Sequence, residues 1–229
     1  MPAPRTLLQR LLKPWIVPLP WPLKRLLLQS LFGYRLAPTA SIGLAWVYPR
    51  RLSLAPGARI DHLTVAVNLD SIELGEKASI GRGNWITGFP TGTGSPHFAH
   101  QPDRRAELWL GDHAAITKSH HIDCTNRVSI GAFTTIAGYH SQLLSHAIDL
   151  QHNRQHSEPI EIGAYCFVGS NCVILGGSVL PDHCVLGALS LLNKPLIETW
   201  SLYVGQPAQR RKAIDPSAAY FSRGQGFVV

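Results

Sequence analysis

The sequence predicts an all-β chain wound as a parallel β-helix of about seven triangular coils, with loop insertions and an N-terminal helical arm. Three observations predict it. From Ile162 an aliphatic residue returns at every sixth position: Ile162, Val168, Ile174, Leu180, Leu186 and Leu192. The fifth place of each six-residue unit is small, at Cys166, Cys172, Ser178, Cys184 and Ser190. Glycine and proline number 20 and 17 among 229 residues, which favours many turns over long helices.

The spacing has a physical meaning. Each unit is one short strand plus a turn, and three units close a coil of eighteen residues. The aliphatic residues point inward and stack on the coils above and below. The small residue fits the tight inner corner, and Gly, Asn or Asp accepts turn geometry that other residues resist. The same register runs backward, with coils starting at Leu36, Leu54, Leu74, Leu110, Ile130, Ile162 and Leu180. Intervals longer than eighteen mark insertions at coil ends, and the two long ones span 92–109 and 148–161. The fifth place of each coil's first strand gives the column Ala40, Ala58, Ala78, Ala114, Thr134, Cys166 and Cys184. That column did not set the register, so its uniformly small residues support it independently. Loops leaving a rigid solenoid are where substrate sites are usually built.

The first 35 residues read differently. They carry Arg5, Arg10, Lys13, Lys24, Arg25 and Arg35 and no acid, so they hold +6 of the formal +7. A nucleic-acid binder spreads its charge over a folded face, so no nucleic-acid partner is expected. The apolar stretch from Trp15 to Leu23 is too short for a bilayer and contains Pro18, Pro20 and Pro22. Pro22 suits the first turn of a helix. Leu23, Leu26, Leu27, Leu31 and Phe32 then form an apolar stripe, with Lys24, Arg25 and Arg35 mostly off it. Such a helix either packs on its own or a neighbouring subunit or rests on an anionic membrane. The expected location is the cytoplasm, with peripheral contact at the inner membrane face under the second reading. The expected organisation is an arm at 1–35, the β-helix at 36–197 and an extension at 198–229.

Four cysteines form no CxxC pair, and three of them fall on inner corners, so neither a disulfide framework nor a cysteine nucleophile is expected. Eleven histidines are many. His113 and His183 occupy turn positions and are expected to be solvated. His120 and His140 fall on the same corner of consecutive coils and are expected to stack there. His152 and His156 lie on an insertion.

Three segments carry a resemblance to the hexapeptide-repeat acyltransferases, a group that includes maltose and galactoside O-acetyltransferases and surface-polysaccharide acetyltransferases of the colanic-acid type. IGAFTTIAGYHSQLLSHAID is similar to the family segment that ends in its catalytic histidine. IEIGAYCFVGSNCVILGGSVLPDHCVLGALSLLNK is similar to the following coils, and YVGQPAQRRK to the terminal G-x-P-A-[KR] element. The resemblance implies a left-handed coil, a homotrimer, acetyl-CoA as co-substrate, no metal, and a sugar or glycan acceptor. It places the catalytic histidine at His146, followed by Asp149. CoA contacts would fall on Gly169 and Ser170, Gly187 and Ala188, Asn193 and Lys194, and Arg210, Arg211 and Lys212. Gln209 departs from the family, which has a basic residue there. Counting sixes from Ile130 puts His146 at the fifth place of its unit, one place earlier than in the sugar acetyltransferases.

The implied chemistry is direct transfer. A hydroxyl becomes a competent nucleophile when a neutral imidazole takes its proton during attack on the thioester. Asp149 or a backbone carbonyl would orient that imidazole. His121 and Asp123 lie one coil before His146 and are candidates for lining the acceptor pocket. Two other readings stand beside this one. A trimeric metalloenzyme resembling γ-carbonic anhydrases would use His121, His146 and His152 as ligands. A catalytically silent β-helix scaffold would use none of them.

Overall fold

The computed structural model describes residues 7–228, so Arg5 of the basic arm lies outside the described residues. From Arg35 onward the chain winds as a left-handed parallel β-helix with three faces. The first face has seven strands: Arg35–Leu36, Arg51–Leu54, Ser71–Leu74, Glu107–Leu110, Val128–Ile130, Ile160–Ile162 and Val179–Leu180. The second has nine, beginning Ser41–Ile42, Arg59–Ile60, Ser79–Ile80, Ala115–Ile116, Thr135–Ile136, Phe167–Val168 and Val185–Leu186. It ends with the antiparallel hairpin Ser201–Val204 and Gln209–Ala213. The third face has seven: Trp46–Tyr48, Val65–Val67, Trp85–Thr87, His121–Asp123, Gln142–Leu144, Val173–Leu175 and Leu191–Leu192.

The pairing follows the six-residue rule. Leu36, Leu54, Leu74, Leu110, Ile130, Ile162 and Leu180 stand in register on the first face, and each is buried. The seven-member column from Ala40 to Cys184 is buried at every position. A corner that tight has room for little beyond a Cβ, and the larger members satisfy their polar atoms on the next coil. Thr134 Oγ1 donates to Gly163 O at 2.5 Å and accepts from Cys166 N at 2.8 Å. Burial pushes the Cys166 thiol up to about 12, as suits a small interior hydrophobe rather than a nucleophile.

Turn positions between the first and second faces hold left-handed residues, and their rings form a ladder. His113, Phe133, Tyr165, His183 and Trp200 stack in that order with centroids 4.7, 4.7, 5.5 and 4.2 Å apart. His113 and His183 are therefore half-buried in a stack, not solvated. The C-terminal extension runs back along this ladder. Phe221 packs against Trp200, and the Arg223 guanidinium sits 3.9 Å from the Tyr220 ring centre.

Three expectations about register change. The turn after Ile136 holds one extra residue, so Leu143 points inward and Ser141 takes the inner corner while His140 is exposed. His120 and His140 therefore do not stack. His120 is buried alone, with Nδ1 accepting from Ser141 N at 3.1 Å and Nε2 against Thr117 Oγ1 at 3.0 Å. Burial lowers its pKa to about 4, so this imidazole is neutral. The slip also moves His146 to the fourth place of its unit. Finally, residues 107–109 belong to a strand, and the second insertion is a hairpin, His146–Asp149 with Arg154–Ser157, that begins at His146 itself.

The arm forms two helices, α1 (Leu7–Ile16) and α2 (Trp21–Phe32), with Pro22 in the first turn of α2 and Gly33 closing it at φ 67. Both pack on the first coils through Ile16, Leu28, Leu27, Leu31 and Phe32. The expected stripe divides: Leu23 and Leu26 face outward, whereas Lys24 faces inward at 2% exposure. Its ammonium donates to Gly43 O at 2.5 Å and Val17 O at 3.2 Å, and burial lowers its pKa to about 8. Those carbonyls need a donor, which is why a lysine is tolerated at the core-facing position. Among the described residues no helix is long and apolar enough to cross a membrane.

Candidate active site

Both long insertions leave the coil where the third face turns into the first, and they meet there. The first runs from Gly88 to Ala106. Its ends are tied by the buried Asp70 carboxylate, which accepts from Thr91 N at 3.1 Å, Thr91 Oγ1 at 2.9 Å and Ala106 N at 3.3 Å. Arg50 closes the same carboxylate at 3.0 Å. Within the loop, buried Arg104 donates to the carbonyls of Phe89 and Thr125, with its guanidinium 4.5 Å from the Phe98 ring centre. Gln101 then bridges to the hairpin, donating to Ser157 O at 2.7 Å and accepting from Ser157 N at 3.0 Å. These contacts hold the loop to the coil at both ends and to the hairpin in its middle.

His146 opens the second insertion and faces the first. Its Nδ1 lies 2.6 Å from Asp123 Oδ2, and its own backbone N–H donates to the same oxygen at 3.1 Å. Ser145 Oγ donates to Oδ2 at 3.2 Å, while Thr125 donates to Oδ1 through its hydroxyl at 2.7 Å and its N–H at 3.1 Å. Phe98 from the first insertion approaches the imidazole edge-on, with centroids 6.3 Å apart.

The electrostatics follow from this set. Burial pushes the Asp123 carboxyl up, but hydrogen bonds from His146 and Thr125 outweigh it and hold it below the usual carboxylate value. The hydrogen bond to Asp123 raises the His146 imidazole above its usual value, against partial desolvation. An ionised carboxylate can only accept, so Nδ1 carries a proton, and in the neutral imidazole Nε2 keeps its lone pair. The side chain is 43% exposed, so Nε2 can meet a ligand. The charged pair stabilises the fold fully below the unfolded imidazole pKa and loses that effect as pH rises through the raised native value.

The carboxylate on the imidazole is thus Asp123, not Asp149. Asp149 sits two strand positions beyond Ala147 and binds His152 Nδ1 at 2.8 Å and Arg154 Nε at 3.1 Å. His121 stands at the far end of its strand, in a recess with Trp85, His140 and Gln142, away from His146. Among the described residues no three His, Cys, Asp or Glu side chains converge to hold a metal ion. Asp70, Phe98, Gln101, Arg104 and Thr125 were not singled out by the sequence, because the loops that hold them obey no repeat.

The residues expected to meet CoA lie elsewhere on the chain. Gly169–Ser170 and Gly187–Ala188 are turns on the edge between the second and third faces, across the third face from His146. A Cβ on Gly169 would sit 2.6 Å from Ala188 N, so this glycine is required by coil stacking in the first place. Asn193 and Lys194 are exposed at the third-to-first edge, on the last coil. Arg210 is held by Glu198 and Ser201 at 2.9 Å each, whereas Arg211 and Lys212 are exposed. Within one chain the Gly169–Ser170 and Gly187–Ala188 turns are a face away from His146, whereas Asn193 and Lys194 share its edge two coils further on.

No protein-family model matches the chain, and no curated protein matches it by sequence. Solved structures do match its fold. One is a hexapeptide-repeat-containing acetyltransferase, VCA0836 of Vibrio cholerae O1 biovar eltor, complexed with acetyl coenzyme A. It aligns at TM-score 0.50 and 20% identity over 62% of this chain and 70% of its own. Another is a single-residue mutant of AntD, an N-acyltransferase from Bacillus cereus, in complex with dTDP and coenzyme A. It aligns at TM-score 0.52 and 14% identity over 81% of this chain and 86% of its own.

Proposed function

We propose that this chain, which has the fold of the hexapeptide-repeat acyltransferases, transfers an acetyl group from acetyl-CoA to a hydroxyl of a surface glycan or its lipid-linked precursor. The observation that carries the reading is the His146–Asp123 pair, with one imidazole nitrogen held by a buried carboxylate and the other open. His146 acts as general base and takes the hydroxyl proton as the oxygen attacks the thioester carbonyl. The C–S bond breaks, the thiolate departs, and the imidazolium returns its proton to it. Asp123 positions the ring and stabilises the imidazolium; it does not touch the reacting atoms.

The CoA-facing residues fit that co-substrate in kind. Lys194, Arg211 and Lys212 are exposed cations suited to phosphates, and the small turns at Ser170 and Ala188 let a pantetheine arm approach the backbone. Because the Ser170 and Ala188 turns stand across the third face from His146, the proposal includes a trimer in which one copy's turns meet another copy's histidine. Light scattering checks this: three times the 25.1 kDa chain mass supports it, and a monomer contradicts it. The function itself is tested by thiol release from acetyl-CoA. Release that depends on a glycan acceptor supports the reading, and none with any acceptor contradicts it.

The helical arm supports a peripheral membrane contact in the same proposal. Leu11, Trp15, Leu23 and Leu26 are 46–74% exposed on the outer side of the two helices, in a segment with no acid. Replacing all four by serine is expected to abolish cosedimentation with vesicles containing anionic lipid. The core-facing residues Ile16 and Leu28 stay in place, so the fold is retained. Unchanged cosedimentation would remove the membrane contact.

A further inference from the structure

The second face carries a trough that the reaction described above does not use. Its outward positions run Arg59, Ser79, Ala115, Thr135 and Phe167, paired in register coil by coil. The three middle residues are small, so the floor sinks between an arginine at one end and a ring at the other. At about 4.8 Å per coil, the run from Arg59 to Thr135 is about 14 Å long. The cavity above it measures about 1050 Å³.

Both walls are built by turns and by the C-terminal extension. On one side stand Arg82 and Lys118, from consecutive turns between the second and third faces. On the other stand Lys77 and residues 225–228, which the extension lays along the ring ladder. That wall is anchored. Tyr220 Oη donates to Cys166 O at 3.0 Å, Arg223 donates to Phe133 O, and Gly226 lies so close to His113 that a Cβ would be 2.5 Å from its carbonyl oxygen.

The charge of the trough is out of proportion to the rest of the β-helix. Four cations and one carboxylate, Asp61, line it. Outside the arm the whole chain carries a formal charge of only +1. Lys77 lies 3.7 Å from Glu76, while Arg59, Arg82 and Lys118 make no ion pair among the described residues. Cations placed at both rims and one end of a long trough suit a chain with several negative groups better than a single anion. The hydroxyls of Ser79 and Thr135 and the amide of Gln225 suit a polyhydroxylated ligand.

We propose that this trough holds an anionic stretch of a saccharide chain. The trough does not rest on the acyl-transfer reading. Calorimetry on the full chain tests it with tetragalacturonate, maltotetraose and oligo(dT). The expected result is binding of tetragalacturonate at least tenfold tighter than maltotetraose, lost at least tenfold in the double variant Arg82→Gln, Lys118→Gln. Equal binding by the variant, no binding of tetragalacturonate, or tighter binding of oligo(dT) would overturn the proposal. Thiol release is read separately. Release without tetragalacturonate binding removes the trough alone, and binding without release keeps the trough as a glycan site and removes the transfer.

Discussion

His146→Ala is expected to lower kcat for acetyl transfer by about 10²–10⁴, the range set by losing general-base help. The KM for acetyl-CoA should change little, because the imidazole acts on the acceptor proton. The fold should survive. His146 is exposed at the root of a hairpin, and the alanine variant leaves Asp123 with four donors: the hydroxyls of Ser145 and Thr125 and the backbone N–H groups of Thr125 and residue 146. Steady-state kinetics beside a thermal melt separates the two effects. Turnover within threefold of wild type in a folded variant would remove His146 as the base.

Gly131→Val is expected to have the largest effect on stability, a loss of at least about 3 kcal/mol. Gly131 begins the turn that lies directly on the next coil. A Cβ there would be 2.5 Å from both Ala164 N and Gly163 C, and backbone cannot swing aside as a side chain can. The coil must shift, and every ladder bond on that face shifts with it. Gly224→Ala is the matched control, because nothing lies within 4 Å of its would-be Cβ. It should stay within about 0.5 kcal/mol of wild type. Urea denaturation of both variants checks the contrast. Equal stabilities would mean that the coils do not stack as tightly as their hydrogen bonds imply.

Much of the architecture is legible in the sequence because the repeat is strict. A residue six places on lands on the next face with the same orientation, so Leu36 through Leu180 and the small corner column can be read directly. The site is half legible. His146 follows from its local segment and Asp123 is visible one coil earlier, yet proximity along the chain favours Asp149 as the orienting group. In a solenoid, neighbours lie one coil away rather than a few residues away: Asp123 and Leu144 are Cα partners, which puts His146 over the Asp123 carboxylate. The extra residue in the 137–141 turn hides that alignment. Phe98, Gln101 and Arg104 are not legible at all, since irregular loops follow no period. Lys24 escapes the sequence for a different reason. A stripe count assigns faces by hydropathy, whereas two carbonyls at the arm's base call for a buried donor.

The dyad itself is tested most directly by the pH dependence of kcat/KM in the wild type and in Asp123→Asn. The wild type should lose activity toward acid through a single ionisation above the usual imidazole value of 6.5, because Asp123 raises the His146 pKa. In Asp123→Asn that limb should move to lower pH while the plateau falls. A limb that stays in place, or a profile with no ionisation between pH 5 and 8 in the wild type, would contradict the account.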